Sequence, residues 1–401
     1  MSLIVQKFGG SSVANTQKLM NVARIVTQTY ANGNSVVVVV SAQGDTTDEL
    51  IAKAQEVNPK ASKREMDVLL ATGEQISISL LAMAIEKLGF PCKSLTGWQA
   101  GFLTDSSHGS SRIRRVNHER IDNELGKGNI VIVAGFQGIN RYDDLTTLGR
   151  GGSDTSAVAL AATLHADLCQ IYTDVDGIYT ADPHLVQSAR KLDEISYDEM
   201  LELASLGAQV LHNRSVEMAK KYNVNLEVLS SLEDKPGTKI KEVVDVEKML
   251  IRGVARDNDV ARISIVGVPD RPGIAFKIFS TLAAKKINVD IILQSIGRND
   301  TKDISFTVSR AHKQLAVETL TELKTALGAH EVVCDDNVSK VSIVGAGMQS
   351  NPGVASKMFE ALSEANVNIQ MISTSEIKIS VLIELSESDR AVNAIHEAFA
   401  V

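Results

Sequence analysis

The stretch 36-VVVVVSAQGDTT-47 sets five consecutive valines ahead of a polar turn that contains a glycine. Strict alternation of apolar and polar residues marks a strand with one wet face. An unbroken β-branched run marks a strand buried on both faces, as in a parallel sheet covered by helices. The same type recurs in both directions along the chain. LIVQKF (3–8), NIVIVAGF (129–136), DLCQIYTD (167–174) and NLEVLSS (225–231) read as further strands. Helical patterns fill the intervals, from about Ser12 to Tyr30, over 62–88 and over 154–165. This alternation predicts an α/β layered domain. Ligands in such folds gather beyond the carboxyl ends of the strands. Here those ends read KFGGSS, SAQGDTT, GFQG and TDVDG, so glycine-rich and polar chemistry falls where the rule expects a site.

A chain of 401 residues suggests two or three domains. Hydrophobic residues at 44% and charged residues at 22% are ordinary for a soluble globular protein. A net charge of −8 without any Lys/Arg run argues against nucleic acid as a partner. No uninterrupted apolar run approaches the ~18 residues of a membrane span, and MSLIVQKFGG enters a strand directly, with no signal-peptide pattern. Cys92, Cys169 and Cys334 are far apart and form no CxxC pair. They are expected to be buried, reduced thiols of a cytoplasmic protein, neither disulfides nor metal ligands. The histidines show no ligand spacing, and His165 and His212 are expected to be packed or surface residues.

The segment 233-EDKPGTKIKE-242 clusters charge, Pro and Gly and reads as a domain exit. Beyond it the chain repeats itself. ISIVGVPDRPGIAFKIFSTLAAKKINVDIILQS (263–295) resembles VSIVGAGMQSNPGVASKMFEALSEANVNIQMISTS (341–375). Pro272-Gly273 matches Pro352-Gly353, Phe279 matches Phe359 and Asn288 matches Asn368, each pair 80 residues apart. A period that long means two tandem small domains. The expected boundaries are 1–240, 250–335 and 336–401.

Two glycine loops carry the chemistry. In 147-TLGRGGSDTSAVALAA-162 an Arg and an Asp flank two adjacent glycines at the mouth of a helix. Bare backbone, a helix start and a guanidinium suit an anion such as a carboxylate. Taken alone, the stretch also fits a surface turn with Ser153 or Asp154 as N-cap. The second loop is Lys7-Phe8-Gly9-Gly10-Ser11 at the end of the first strand, a phosphate site by the same physics. There is no GxxxxGK[ST] and no GxGxxG after a strand, which removes P-loop and dinucleotide-binding readings. Two such loops, with a strand end at Thr173-Asp174, point to phosphoryl transfer.

KFGGSSV, VVVVVSAQGDTTDEL, LLATGEQIS, TLGRGGSDTSAVALAA and IYTDVDGIYTADP closely resemble the aspartate kinases of the amino-acid kinase family, and the repeat resembles their paired ACT domains. The resemblance implies a layered αβα kinase domain with a mainly parallel central sheet, followed by two α+β ferredoxin-like ACT domains. It also implies transfer of the γ-phosphoryl group of ATP, carried with Mg²⁺, to the side chain of L-aspartate. By resemblance, Lys7 neutralises the transferring group, and Gly9, Gly10 and Ser11 donate hydrogen bonds. Arg150 clamps the substrate α-carboxylate and Glu74 holds its ammonium. Ser41, Thr47 and Ser153 complete the aspartate pocket, and Asp154 orients Lys7 or the phosphates. Thr173, Asp174, Tyr179 and Asp182 hold the nucleotide; Tyr179 fits packing equally well, and Asp182-Pro183 fits a plain turn. The chain departs from the family's usual residues at His184, Gln209 and His212-Asn213-Arg214, positions expected towards the nucleotide. Lysine, threonine or both are expected as effectors on the first ACT copy, through Asp270, Ile274, Ala275 and Gln294. The second copy has Ser350 in place of Asp270 and is expected to bind less well. A homodimer or higher oligomer through the ACT domains is implied, with a shorter regulatory subunit starting near Met249 as a further possibility. The alternatives are a glutamate or acetylglutamate kinase, or a catalytically silent amino-acid sensor.

Overall fold

All five valines from Val36 to Val40 are fully buried, and the reason is the sheet around them. The computed structural model describes residues 2–206, 210–242, 251–297, 300–349 and 351–399. Gln209, Met249 and Ser350 lie outside the described residues. The chain forms two compact units, one of Met1–Ile178, Lys191–Ala204 and Gln209–Asp245, the other of Tyr179–Arg190, Ser205–Ala208 and Val246–Val401.

The strands of the first unit are β1 (Leu3–Phe8), β2 (Ser35–Val40), β3 (Cys92–Leu95), β4 (Phe102–Thr104), β5 (Ile113–Val116), β6 (Ile130–Ala134), β7 (Gln137–Ile139), β8 (Leu145–Thr147), β9 (Leu168–Thr173), β10 (Glu194–Ser196), β11 (Leu226–Ser230) and β12 (Thr238–Lys241). Its helices are α1 (Gly10–Val13), α2 (Thr16–Ala31), α3 (Thr46–Val57), α4 (Lys63–Lys87), α5 (Glu119–Gly126), α6 (Gly152–Thr163), α7 (Tyr197–Ser205) and α8 (Asn213–Tyr222). Eight strands make the main sheet in the order β10-β12-β11-β9-β1-β2-β6-β3. Its pairs are parallel except β11 with β12. Val36, Val38 and Val40 join a core with Leu19, Val22 and Val26 of α2 and Ile78, Leu81 and Ile85 of α4. α6 lies against β1, β2 and β9. Both faces are thus covered, as a continuous apolar strand requires. A second sheet, β5-β4-β7-β8, stands beside the first and carries the approach to Arg150.

The helix expected from Ser12 to Tyr30 is interrupted. Asn15 accepts a hydrogen bond from the Lys18 N–H (3.0 Å) and starts α2 afresh. An Asn cap satisfies a free helix donor, and here it outcompetes a continuous helix. α4 is the one described helix long and apolar enough to cross a membrane. It packs on α2, α3, β3, β6 and β8 and buries Asp67 and Glu74, as a core helix does.

The second unit adds β13 (Gly253–Asp257), β14 (Ala261–Pro269), β15 (Ile292–Gln294), β16 (Thr301–Val308), β17 (Glu331–Asp335), β18 (Val338–Val344), β19 (Met371–Thr374) and β20 (Lys378–Glu384). Its helices are α9 (Ile274–Ala284), α10 (Lys313–Leu327), α11 (Val354–Glu364) and α12 (Ser388–Phe399). Each repeat is built on one antiparallel four-stranded sheet, in the orders β15-β16-β14-β17 and β13-β18-β20-β19, the second sheet borrowing β13 from outside the repeat. β13 precedes the first repeat in sequence yet pairs with β18 of the second. The segment Tyr179–Arg190, which interrupts the first unit in sequence, also belongs here. Ala181 and Val186 are buried with Ile251, Val254 and Ile343, and Thr180 Oγ1 lies 2.9 Å from His396 Nε2.

Candidate active site

Lys7 sits one residue from the end of β1, in register with Val39 of β2 and Ile171 of β9. Its ammonium therefore emerges at the carboxyl edge of the sheet centre. Asp154, in the first turn of α6, places Oδ1 at 2.7 Å from Lys7 Nζ. This is a close, largely buried ion pair, with 12% of each side chain exposed.

Lys7, Gly9, Gly10, Ser41, Thr47, Glu74, Arg150, Ser153 and Asp154 line one cavity of about 650 Å³. Nine residues from four separate stretches of sequence thus converge. Glu74 comes from the middle of α4 and is 3% exposed. Its Oε1 accepts the Ala42 N–H (3.1 Å) and its Oε2 is buried without a partner. Burial raises its pKa from 4.5 to about 8, against the opposing pull of backbone hydrogen bonds. Arg150 is exposed and has no acid partner among the described residues. The cavity thus offers an orphaned carboxylate on one wall and an unpaired guanidinium on another, complementary to an ammonium and a carboxylate.

The Arg150 loop turns on Gly149 and Gly151, whose φ values are 78° and 66°. Leu148 N–H is bound by Phe136 O (2.8 Å), and Arg214 donates to Leu148 O and Ser111 O (3.0 Å each). The His212 side chain packs on Gly151 so closely that a Cβ there would lie 2.2 Å from the His212 Cβ and 2.3 Å from its ring. His212 and Arg214 therefore brace the Arg150 loop. The start of α8 lies under the start of α6, and sequence spacing cannot show that.

The nucleotide candidates divide. Thr173 and Asp174 end β9 beside the glycine turn, where Gly9 N–H reaches Tyr172 O at 3.4 Å. Tyr179 and Asp182 fall in the second unit, as does His184. Asp182 is exposed and accepts the His184 N–H (2.9 Å), the geometry of an Asx turn. Ser11 is exposed in α1 and is not part of the cavity wall. The wall also contains residues that motif reading missed, among them Asp48, Lys63, Asp67, Phe136 and Thr147. One signal was available for Asp67. It shares a helical stripe with Ala71, Glu74, Ile78, Leu81 and Ile85, and a charge on such a stripe is out of place unless it has a task.

Residues 2–230 match the Amino acid kinase family, and 263–323 and 341–399 each match the ACT domain. An aspartokinase of Mycolicibacterium smegmatis is 52% identical over 407 residues, covering 100% of this chain and 97% of the relative. The structure of Escherichia coli aspartokinase III with aspartate and ADP (R-state) superposes with a TM-score of 0.86 at 25% identity and 100% coverage of both chains. The same enzyme with lysine and aspartate (T-state) gives 0.77 at 25% identity, with 99% of each chain covered. The chain belongs to the amino acid kinase family and, within it, to the aspartokinases.

Proposed function

We propose that the chain transfers the γ-phosphoryl group of ATP to the side-chain carboxylate of L-aspartate, giving 4-phospho-L-aspartate and ADP. The observation that carries this is the pairing of orphaned Glu74 with unpaired Arg150 across a cavity that also holds Lys7. A carboxylate oxygen of aspartate attacks the γ-phosphorus, the bond to the β–γ bridging oxygen breaks, and its electron pair leaves on ADP. No base is needed, because the acceptor carboxylate ionises near pH ~4. The barrier is the approach of one anion to another, so fixed cations and N–H donors supply the stabilisation.

Arg150 grips the α-carboxylate and Glu74 the ammonium, with Ser41, Thr47 and Ser153 filling the pocket between them. Lys7 faces the transferring group and Asp154 holds it there. Gly9, Gly10 and Ser11 serve the phosphates; Thr173 and Asp174 serve the nucleotide. Among the described residues no three His, Cys, Asp or Glu side chains gather as a metal site. We place Mg²⁺ on the ATP phosphates and water. A supply of ATP and three free cysteines fit a cytoplasmic location; of the three thiols expected to be buried only Cys169 is, Cys92 being half-buried and Cys334 exposed on β17.

Regulation is assigned to the ACT pair, with lysine or threonine as effector. In the first copy Asp270 is already paired with Lys302 at 2.8 Å, so an effector ammonium bound there exchanges with that lysine. Ile274 and Ala275 open α9 behind Gly273, and Gln294 stands exposed on the edge strand β15. The edge position of β15 and the exposure of Phe276 (77%) and Ile296 (90%) support assembly with a second copy through this unit.

A coupled assay for ADP formation tests the proposal. Turnover with aspartate and none with glutamate or acetylglutamate is expected. Turnover with glutamate alone, or none with any acceptor, overturns it.

A further inference from the structure

We propose that Asp67 is a positioning residue that sets the distance between the two grips on the substrate. It rests on the reading of Glu74 and Arg150 given above. Asp67 is fully buried near the start of α4, and its carboxylate gathers donors from two other segments. Thr147 Oγ1 donates to Oδ1 (2.6 Å), Gly109 N–H reaches both oxygens (3.0 Å each), and His108 Nδ1 lies 2.9 Å from Oδ2. Thr147 is three residues before Arg150, and its carbonyl accepts the Ser111 N–H (2.9 Å). The turn 108–111 and the strand leading to Arg150 are thereby tied to one carboxylate.

The other end of this tie is the helix itself. Glu74 follows Asp67 by seven residues on the same buried face, two turns or about 10 Å along the axis. Helix α4 therefore works as a ruler. One acid receives the substrate ammonium, and the other anchors the loop whose guanidinium receives the substrate carboxylate. The loop turns on two glycines at positive φ, so its course depends on what holds its two ends. Arg214 joins the same two segments, donating to Leu148 O and Ser111 O. A carboxylate suits the anchor, since only an acceptor with two oxygens takes all these donors together. Alternatively, Asp67 merely stabilises the fold, in which case its loss affects both substrates alike.

Steady-state kinetics on the full chain, with each substrate varied, decides between them. Thr147→Val removes one hydroxyl with little change of shape. It should raise the KM for aspartate about tenfold or more, as a sub-ångström misplacement does, with the KM for ATP within about twofold. Thr147→Ser keeps the hydroxyl and should restore the wild-type constant. Asp67→Asn should raise the same constant at least as far, and the double variant no further, because both break one tether. A wild-type aspartate KM in Thr147→Val, an equal rise for ATP, or additive losses in the double variant overturns the proposal. Should Asp67→Asn fail to fold, the Thr147 pair decides alone. Arg150→Lys separates the two levels of inference. If it leaves the aspartate KM unchanged, the pocket reading fails. If it raises that KM while Thr147→Val is silent, only the tether fails.

Discussion

The kinase unit and the regulatory unit both open helices with glycine turns, but the turns are finished to different degrees. At Gly10 an added Cβ would lie 2.7 Å from the Ala42 carbonyl oxygen, and at Gly152 it would lie 2.8 Å from the Phe136 ring. At Gly273 and Gly353, which precede α9 and α11, it would meet nothing within 4 Å. The kinase turns are thus closed by their own chain, and their glycines make room for neighbours. The repeat turns are open, and their glycines serve the backbone alone, with φ values of 93° and 95°. A closed turn is preorganised to hold a charged group at a fixed place, which phosphoryl transfer demands. An open turn is half a site, with room for an effector, a second surface, or both. Beside the second turn a cavity of about 500 Å³ remains, lined by Asn351, Val354 and Glu376 among others.

The comparison is broken most directly at Lys7. Lys7→Ala removes the cation of the closed site, and kcat should fall by about 10²–10³ or more. The circular dichroism spectrum should stay that of the wild type, since the change leaves the backbone pairing of β1 with β2 and β9 intact. A folded variant with near-normal kcat would show that the closed turn is scaffold only.

Gly10→Ala tests the closure itself. The new methyl meets a backbone carbonyl, which cannot swing aside as a side chain would. Overpacking of this kind costs about 1–3 kcal/mol, so the midpoint of thermal unfolding should drop measurably. Gly9→Ala is the matched control, because its Cβ would meet the flexible end of Lys7 at 3.4 Å and the Tyr172 carbonyl oxygen at an ordinary 4.0 Å. Equal stability of the two variants would contradict a packed turn at Gly10.

Glu74 offers a test by pH. Its pKa rises from 4.5 to about 8 on burial. Between those values the folded chain keeps a proton that the unfolded chain releases. The associated stability is full below pH 4.5 and is lost as pH rises towards 8, with a slope of at most about 1.4 kcal/mol per pH unit. Glu74→Gln should remove that slope from thermal melts recorded between pH 5 and 8. Affinity for aspartate should run the other way in the wild type, strengthening towards pH 8, since the ammonium needs the ionised carboxylate. Parallel pH profiles for wild type and variant would remove Glu74 from the pocket.

Much of this contrast was legible in the sequence, and the illegible part has a common cause. Runs such as Val36–Val40 declare their own burial, and the glycine loops fall at strand ends because ligand-binding backbone must. Each is a local signal. The pairing of β13 with β18, the placement of Tyr179–Arg190 among the buried residues of the second unit, and the packing of His212 on Gly151 are all contacts across long stretches of sequence. Such pairings are selected by tertiary packing, and neither periodicity nor spacing encodes the partner. Asp67 is the intermediate case. Its position on a buried stripe was visible, but the partners that explain it, Gly109 and Thr147, were not.

The smallest expected effect probes the open turns. Gly273→Ala and Gly353→Ala each force an L residue into a left-handed backbone while touching nothing. The cost is conformational alone, about 1 kcal/mol each, because a Cβ at positive φ crowds the adjacent carbonyl. The geometry at the two sites is nearly the same, so the two variants should lower the unfolding midpoint by nearly the same few degrees. That equality holds only while both turns face solvent. If a second copy covers one turn, its methyl meets that copy as well, and the losses diverge. Melting both variants over a hundredfold range of protein concentration separates these cases. Equal and concentration-independent losses mean that both turns stand open in solution. A gap that widens with concentration identifies the covered turn and assigns the second surface to another copy of the chain. Losses well above 1 kcal/mol at every concentration would mean that the turns are packed within the chain itself, and the contrast with the kinase unit would fail.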